Sequence, residues 1–156
     1  MTEVKETNYD LLQKQVASLI EDESNLIAIL SNVSALLNDS LDQINWVGFY
    51  LIENNELILG PFQGHPACVH IAIGKGVCGT AVETNESQLV EDVNAFPGHI
   101  ACDANSKSEI VVPIHKDNTT IGVLRATYQS EYFSDLLKAN TFDNTSLSII
   151  ISRSGN

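Results

Sequence analysis

Apolar residues recur at spacings of three and four along the first third of the chain, and at spacings of two through its middle. Tyr9, Leu12, Val16 and Leu19 form one stripe, and Leu26, Leu30, Val33 and Leu37 form a second after a polar break at residues 21–25. Such periods gather side chains on one face of a helix. Two amphipathic helices are therefore predicted, the first capped by Thr7 with Asp10 three residues on. The runs 44–52 and 56–62 are instead β-branched and aromatic, with Asn54 and Asn55 between them. Asparagine tolerates positive φ, so a tight hairpin is expected there. In the first of these strands Trp46, Gly48 and Tyr50 share one face while Val47, Phe49 and Leu51 share the other. With large apolar groups on both faces the strand belongs at the centre of a sheet. A short strand at 69–73 follows, then a glycine-rich turn at 74–79 leading into a helix near 80–86, and a brief pairing segment at 88–90. Residues 109–113 and 120–124 close the sheet as a hairpin around Lys116-Asp117-Asn118.

The sum is an α+β, two-layer fold: an antiparallel sheet of five or six strands, N-terminal helices on one face and ligand-covering loops on the other. Residues 92–108 show little periodicity. Connections beyond about 12 residues in compact domains are usually functional or disordered. This one carries Val93, Phe96, Ile100 and Ala101 as anchors, which favours an ordered lid. A chain of 156 residues fits one domain with a core of its own.

Twenty acidic against eight basic side chains leave a net charge of -12, and residues 1–60 hold only Lys5 and Lys14 as cations. A field of that sign repels phosphate backbones and anionic lipid, so neither nucleic acid nor membrane is an expected partner. No apolar run approaches 18 residues and no export signal is read, so a cytoplasmic location is expected.

Cys68, Cys78 and Cys102 in a reducing compartment can be buried inert thiols, metal ligands or redox groups. The metal candidates are His65, Cys68, His70, Cys78, His99 and Cys102. No two cysteines lie closer than ten residues, whereas structural zinc favours ligand pairs two to four apart; no metal is expected. Gly74-x-Gly76-x-x-Gly79 has dinucleotide spacing, but no βαβ unit flanks it. Redox chemistry gains from location: Cys102 lies in the long loop beside Asp103 and after His99, and Cys68 begins a strand after His65-Pro66. A reactive thiol must be accessible and able to ionise, and a second thiol lets a sulfenic acid close to a disulfide. His65, His70 and His115 read as surface or structural residues.

Five ordered motifs carry a resemblance. They are Asn45-Trp46-Val47-Gly48-Phe49-Tyr50, Leu59-Gly60-Pro61-Phe62-Gln63-Gly64 with Pro66-Ala67-Cys68, Gly74-Lys75-Gly76-Val77-Cys78-Gly79-Thr80-Ala81, Phe96-Pro97-Gly98-His99-Ile100-Ala101-Cys102-Asp103 and Ser108-Glu109-Ile110-Val111-Val112-Pro113. Together, over residues 7–124, they resemble the free methionine-(R)-sulfoxide reductases, which are single GAF-type domains. The resemblance implies thiol-dependent reduction of free L-methionine-(R)-S-oxide, with Cys102 as nucleophile, Cys68 as resolving thiol and Cys78 as an auxiliary cysteine. It implies Trp46 and Tyr50 as the wall that holds the thioether end, and Glu109 as a pocket carboxyl that assists protonation of the leaving oxygen. Thioredoxin is the implied reductant, no cofactor is held permanently, and a homodimer is allowed. The rival reading on the same fold is a non-catalytic, small-molecule-sensing GAF domain.

The likeness breaks at one point. The family pattern Gly-Val-Leu-Asp-Ile-Asp becomes Gly122-Val123-Leu124-Arg125-Ala126-Thr127, which removes two substrate-holding carboxylates and sets a cation where an ammonium is expected to bind. Like-charge repulsion should then weaken binding. We read residues 1–124 as the GAF-like domain and 125–156 as a tail that is divergent or arises from a change of reading frame near codon 125. Loss of the family's C-terminal helix would uncover apolar sheet surface, so a destabilised and poorly active protein is expected.

Overall fold

The computed structural model describes residues 8–98 and 106–128. His99, Cys102, Asp103 and the tail from residue 129 on lie outside the described residues, as does the expected cap Thr7.

The first helix, α1, is Tyr9–Ile20, and its cap is Asn8, whose carboxamide oxygen accepts from the Leu11 N–H at 3.0 Å. Its buried stripe is Leu12, Val16 and Ile20; Leu19, expected in that stripe, is exposed. Spacings of four, four and three are equally helical, and the packing partner decides between Leu19 and Ile20. Helix α2, Leu26–Ser40, starts on Asn25, whose side chain accepts from the Ala28 N–H at 3.0 Å. An amide oxygen in this position satisfies one of the donors that the first turn leaves open.

Strands β1 (Ile44–Glu53) and β2 (Glu56–Gly64) form the expected hairpin, with Asn54 and Asn55 at φ 53° and 63°. Then come β3 (His70–Ala72), α3 (Gly76–Thr84), β4 (Gln88–Val90), a single 3-10 turn at Val93–Ala95, β5 (Ser108–Lys116) and β6 (Thr119–Tyr128). The six strands lie in the order β3-β2-β1-β6-β5-β4, every neighbouring pair antiparallel.

Two differences from the sequence reading bear on the site. Helix α3 begins at Gly76 rather than near Thr80, so Cys78 sits in its first turn. The glycine at 79 serves close packing: a Cβ there would stand 2.4 Å from the Ala72 carbonyl oxygen on β3. Strand β6 runs on through Arg125 to Tyr128, in register with β1 on one side and β5 on the other. Residues 125–128 are thus central-strand residues of the sheet. Their alternation explains it: Ala126 and Tyr128 bury against the helices, while Arg125 and Thr127 turn to the opposite face.

The core is divided by the sheet. One cluster joins Leu12, Val16, Leu30 and Leu37 of the helices to Val47, Phe49, Leu124 and Tyr128; the other gathers Trp46, Tyr50, Leu57, Val77, Cys78, Val111 and Val123 on the far face. Gly48 belongs to that far face. A Cβ on it would lie 2.2 Å from Phe62 Cβ and 2.8 Å from the Pro61 carbonyl oxygen. Gly48→Ala is therefore expected to cost about 3 kcal/mol, because the clash is with backbone and a buried ring rather than a flexible chain end. Urea unfolding checks this, and an unchanged midpoint would refute it. Among the described residues no helix is long and apolar enough to cross a membrane.

Candidate active site

The period of two along β1 sets Trp46 and Tyr50 on the face away from the helices, both almost wholly buried. Their rings stack, with centroids 6.0 Å apart, and Phe62 from β2 adds a third ring 5.2 Å from Trp46 and inclined by 16°. Phe62 reaches this position because its neighbour across the ladder, Gly48, has no side chain. The result is a continuous aromatic wall.

The polar tips of the wall hold a single segment. Trp46 Nε1 donates to the His65 carbonyl at 3.1 Å, and the Tyr50 hydroxyl donates to the Cys68 carbonyl at 2.8 Å. Residues 65–68 are pinned at both ends by these bonds, which fixes Cys68 beside the wall. Cys68 is partly buried and disulfide-bonded; Cys78 is a free, buried cysteine. Burial pushes the Cys78 thiol well up, with Glu109 adding to the rise and Arg125 opposing it. It stays protonated and is a poor nucleophile at neutral pH.

Strands β5 and β6 add charge to the same face. Glu109 pairs with Thr127 across the ladder, and Arg125 pairs with Val111 on β5 and Gly48 on β1, so Glu109 and Arg125 are diagonal neighbours. Arg125 Nε donates to Glu109 Oε1, both side chains are more than nine-tenths buried, and the guanidinium carbon lies 4.9 Å from the centre of the Trp46 ring. Burial alone would pull the arginine down, but Glu109, with Cys78 and Tyr50 adding to it, offsets this and the net direction is up. Arg125 is a permanent cation, paired and stacked on an aromatic face. The like-charge repulsion expected from Arg125 was drawn from the arginine alone; the structure adds that Glu109 pairs with it.

Sequence reasoning missed a further polar link. The Thr127 hydroxyl donates to Asn45 Oδ1 at 2.6 Å, and Asn45 Nδ2 donates to the Ser106 hydroxyl at 3.4 Å. It ties the start of β1 to β6 and to the point where the chain re-enters the sheet. Asn45 was visible as the first residue of its motif, but a role for it was not assigned.

A family model described as a GAF domain matches residues 23–137. An Escherichia coli protein named free methionine-R-sulfoxide reductase is 54% identical over 116 residues, 74% of this chain and 70% of that protein. A structure of fRMsr of Staphylococcus aureus in its reduced form superposes with a TM-score of 0.91 at 63% identity, covering 99% of this chain and 100% of that one. This chain belongs to the free methionine-R-sulfoxide reductase family. The Neisseria meningitidis free methionine-R-sulfoxide reductase, solved in complex with its substrate, matches at 36% identity and TM-score 0.84 over 99% of this chain and 98% of that one.

Of the residues expected in the site from the sequence resemblance, Trp46, Tyr50, Cys68, Cys78 and Glu109 all lie on or beside one face of the sheet. The sixth, Cys102, falls outside the described residues.

The burial of titratable side chains in this fold makes it sensitive to alkali. Burial pushes the Tyr50 hydroxyl up to about 12 from 10.0, only partly offset by Arg125, and raises Tyr128 as well. The unfolded chain loses these protons, and that of Cys78, at ordinary pH values while the folded chain keeps them. Stability is therefore complete below about pH 9 and falls as pH climbs toward 12. Tyr50 alone should account for on the order of 2 kcal/mol of that fall. Urea midpoints measured from pH 8 to 11.5 should decline; a flat profile would contradict the buried setting.

Proposed function

We propose that this chain reduces free L-methionine-(R)-S-oxide to L-methionine, with Cys102 as nucleophile, Cys68 as resolving thiol and thioredoxin as reductant. The supporting observation is the setting of Cys68: disulfide-bonded, partly accessible and hung from the Tyr50 hydroxyl next to the aromatic wall, while Cys78 is free and buried. The cysteine on the ligand face is placed to form the disulfide that the cycle requires, and the cysteine packed in the core is not.

The steps balance. The Cys102 thiolate attacks the sulfoxide sulfur, the sulfoxide oxygen takes up one proton, and that oxygen passes to the cysteine sulfur as its bond to the substrate sulfur breaks. Methionine departs and Cys102 becomes a sulfenic acid. The Cys68 thiol attacks that sulfur, water leaves, and the Cys68–Cys102 disulfide forms; a dithiol reductant then returns both thiols and is itself oxidised. Sulfoxide oxygen is a poor leaving group until protonated, and we assign Glu109 to relaying that proton through the carboxylate oxygen that Arg125 does not hold. The rings of Trp46, Tyr50 and Phe62 receive the methyl thioether end, where sulfur–aromatic contact is favourable. Cys78 is a packing residue in this scheme.

The test is NADPH oxidation coupled through thioredoxin reductase and thioredoxin. Consumption with the free (R)-sulfoxide, and none with the (S)-epimer, is the expected result; no consumption with either removes the reading. One observation favours the rival, a ligand-sensing GAF domain: Glu109 Oε1 is already accepting from Arg125. That rival predicts saturable binding of a small molecule with no thiol oxidation.

A further inference from the structure

We propose that the outer edge of β3, next to Cys68, is the docking site of the dithiol protein that recycles this chain, which lays an extended segment of its own along His70–Ala72. The proposal rests on the reading of Cys68 as the resolving thiol of a disulfide reduced by thioredoxin.

The strands β3 and β4 end the sheet order. On its inner side β3 pairs with β2, Leu57 opposite Ile71, and the Leu59 N–H donates to the Val69 carbonyl at 2.9 Å. Backbone groups alternate sides along an antiparallel strand. Val69 and Ile71 therefore bond to β2, while His70 and Ala72 turn their backbone groups outward. The Ala72 carbonyl is taken by the Lys75 N–H at 3.1 Å. Among the described residues, no backbone group pairs with the His70 N–H, the His70 carbonyl or the Ala72 N–H. Such a row is a template for a strand of another chain, and edges that must stay unpaired are commonly blunted by charge or proline. Here the residues that bracket the strand are apolar: Val69 is 51% exposed and Ile73 is 38% exposed.

Cys68 selects the occupant. It lies two residues before His70 and is disulfide-bonded. A reductant's sulfur must approach to bonding distance, about 2.05 Å once joined, so a protein reductant has to run its backbone beside the segment that bears Cys68. That segment is already fixed by Trp46 Nε1 and the Tyr50 hydroxyl and need not be ordered on docking. An incoming thiolate is also an anion, and this chain has a net charge of -12. Residues 57–82 contain no acid, and Glu56, at the start of β2, is bridged by His70 Nδ1 at 2.9 Å. The reductant's thiolate attacks the Cys68 sulfur, the bond to Cys102 breaks, and Cys102 leaves as a thiolate. The reductant's second thiol then attacks the mixed disulfide, Cys68 leaves, and the reductant ends as a disulfide, two electrons and two protons having passed to this chain.

Dithiothreitol, which needs no docking surface, separates the chemistry from the docking. In the full chain, oxidised with hydrogen peroxide, thioredoxin should reduce the disulfide. Ala72→Pro deletes an outward N–H and no bond to β2. It should raise the KM for thioredoxin at least about tenfold while the dithiothreitol rate stays within about twofold. Val69→Glu, which keeps every backbone group, should act in the same direction by placing a charge on the apolar flank. With thioredoxin lacking its second cysteine, the trapped mixed disulfide should form on Cys68, and amide exchange at His70 and Ala72 should slow. An unchanged KM in either variant, a dithiothreitol rate lost to the same degree, a mixed disulfide on Cys102, unslowed exchange at both amides, or reduction by dithiothreitol but not by thioredoxin overturns the docking site. Because peroxide makes the disulfide, sulfoxide turnover is scored apart. Reduction by thioredoxin that is sensitive to both variants, without methionine formation, removes the reductase reading and leaves the docking edge; methionine formation with both KM values unchanged does the opposite.

Discussion

Cys102→Ser is expected to lower turnover of free methionine-(R)-S-oxide by at least about a thousandfold, because a hydroxyl at this position neither ionises near neutral pH nor forms the sulfur–sulfur bond on which recycling depends. The other two cysteines should separate from it cleanly. Cys68→Ser should leave one methionine released per chain and then stop, since attack on the substrate does not need the resolving thiol but the return to the reduced state does. Cys78→Ala should leave the thioredoxin-coupled rate within about twofold and cost only about 1 kcal/mol, as expected for a small buried side chain in α3 whose thiol is held protonated by burial. Quantifying methionine by mass spectrometry in single-turnover and coupled assays distinguishes all three. Sustained recycling by Cys68→Ser would show that another group resolves the sulfenic acid, and a Cys78→Ala enzyme that has lost its rate would return that thiol to the mechanism.

Glu109→Leu is expected to destabilise the fold by about 3–5 kcal/mol, a large share of the stability of an ordinary domain. The reason is what it leaves behind. Arg125 would remain a cation more than nine-tenths buried between β1 and β5, stacked on the Trp46 ring and without its carboxylate partner among the described residues. Removing both partners should be milder: Glu109→Leu with Arg125→Met replaces a buried ion pair by apolar groups of similar size and is expected to recover most of the loss, since neither charge is then stranded. Guanidinium unfolding of the two single variants and the double variant gives the coupling energy directly. A double variant as unstable as Glu109→Leu alone would mean that the pair contributes through packing shape and not through charge.

Much of this site could have been read from the strand periods. The two-residue alternation in β1 put Trp46 and Tyr50 on one face without any coordinates, and the positive-φ asparagines at 54 and 55 fixed the turn that aligns β2 beside them. The Asp117-Asn118 turn did not fix the rest of its hairpin. Both residues have positive φ, and the ladder counts back from Lys116↔Thr119 to Glu109↔Thr127. A register counted from that turn alone would pair Glu109 with Ala126 and set Arg125 opposite Ile110. The irregularity between Ile114 and His115 shifts it by one residue and brings Arg125 within one diagonal of Glu109, so the ion pair was not legible from the turn. The physical reason is that an extra residue in one strand flips which side chains share a face.

Other features had no local signature. Whether Leu19 or Ile20 faces the core depends on how α1 lies on the sheet. The start of α3 at Gly76 depends on the close approach of Gly79 to Ala72, a contact between segments that no helix propensity encodes. Strand β6 runs through Arg125 because both its neighbours offer hydrogen-bonding partners there, and tertiary pairing outweighs the low strand preference of a buried cation. By itself, then, the sequence determined the two-layer architecture, the aromatic face and the family, since these follow from periodicity and from contiguous motifs. Only the tertiary structure decided that a cation beside the aromatic wall is paired and neutral, and that a tyrosine hydroxyl holds the segment bearing Cys68. Both depend on the distance between side chains that are 16 and 18 residues apart in the chain, which local patterns do not specify.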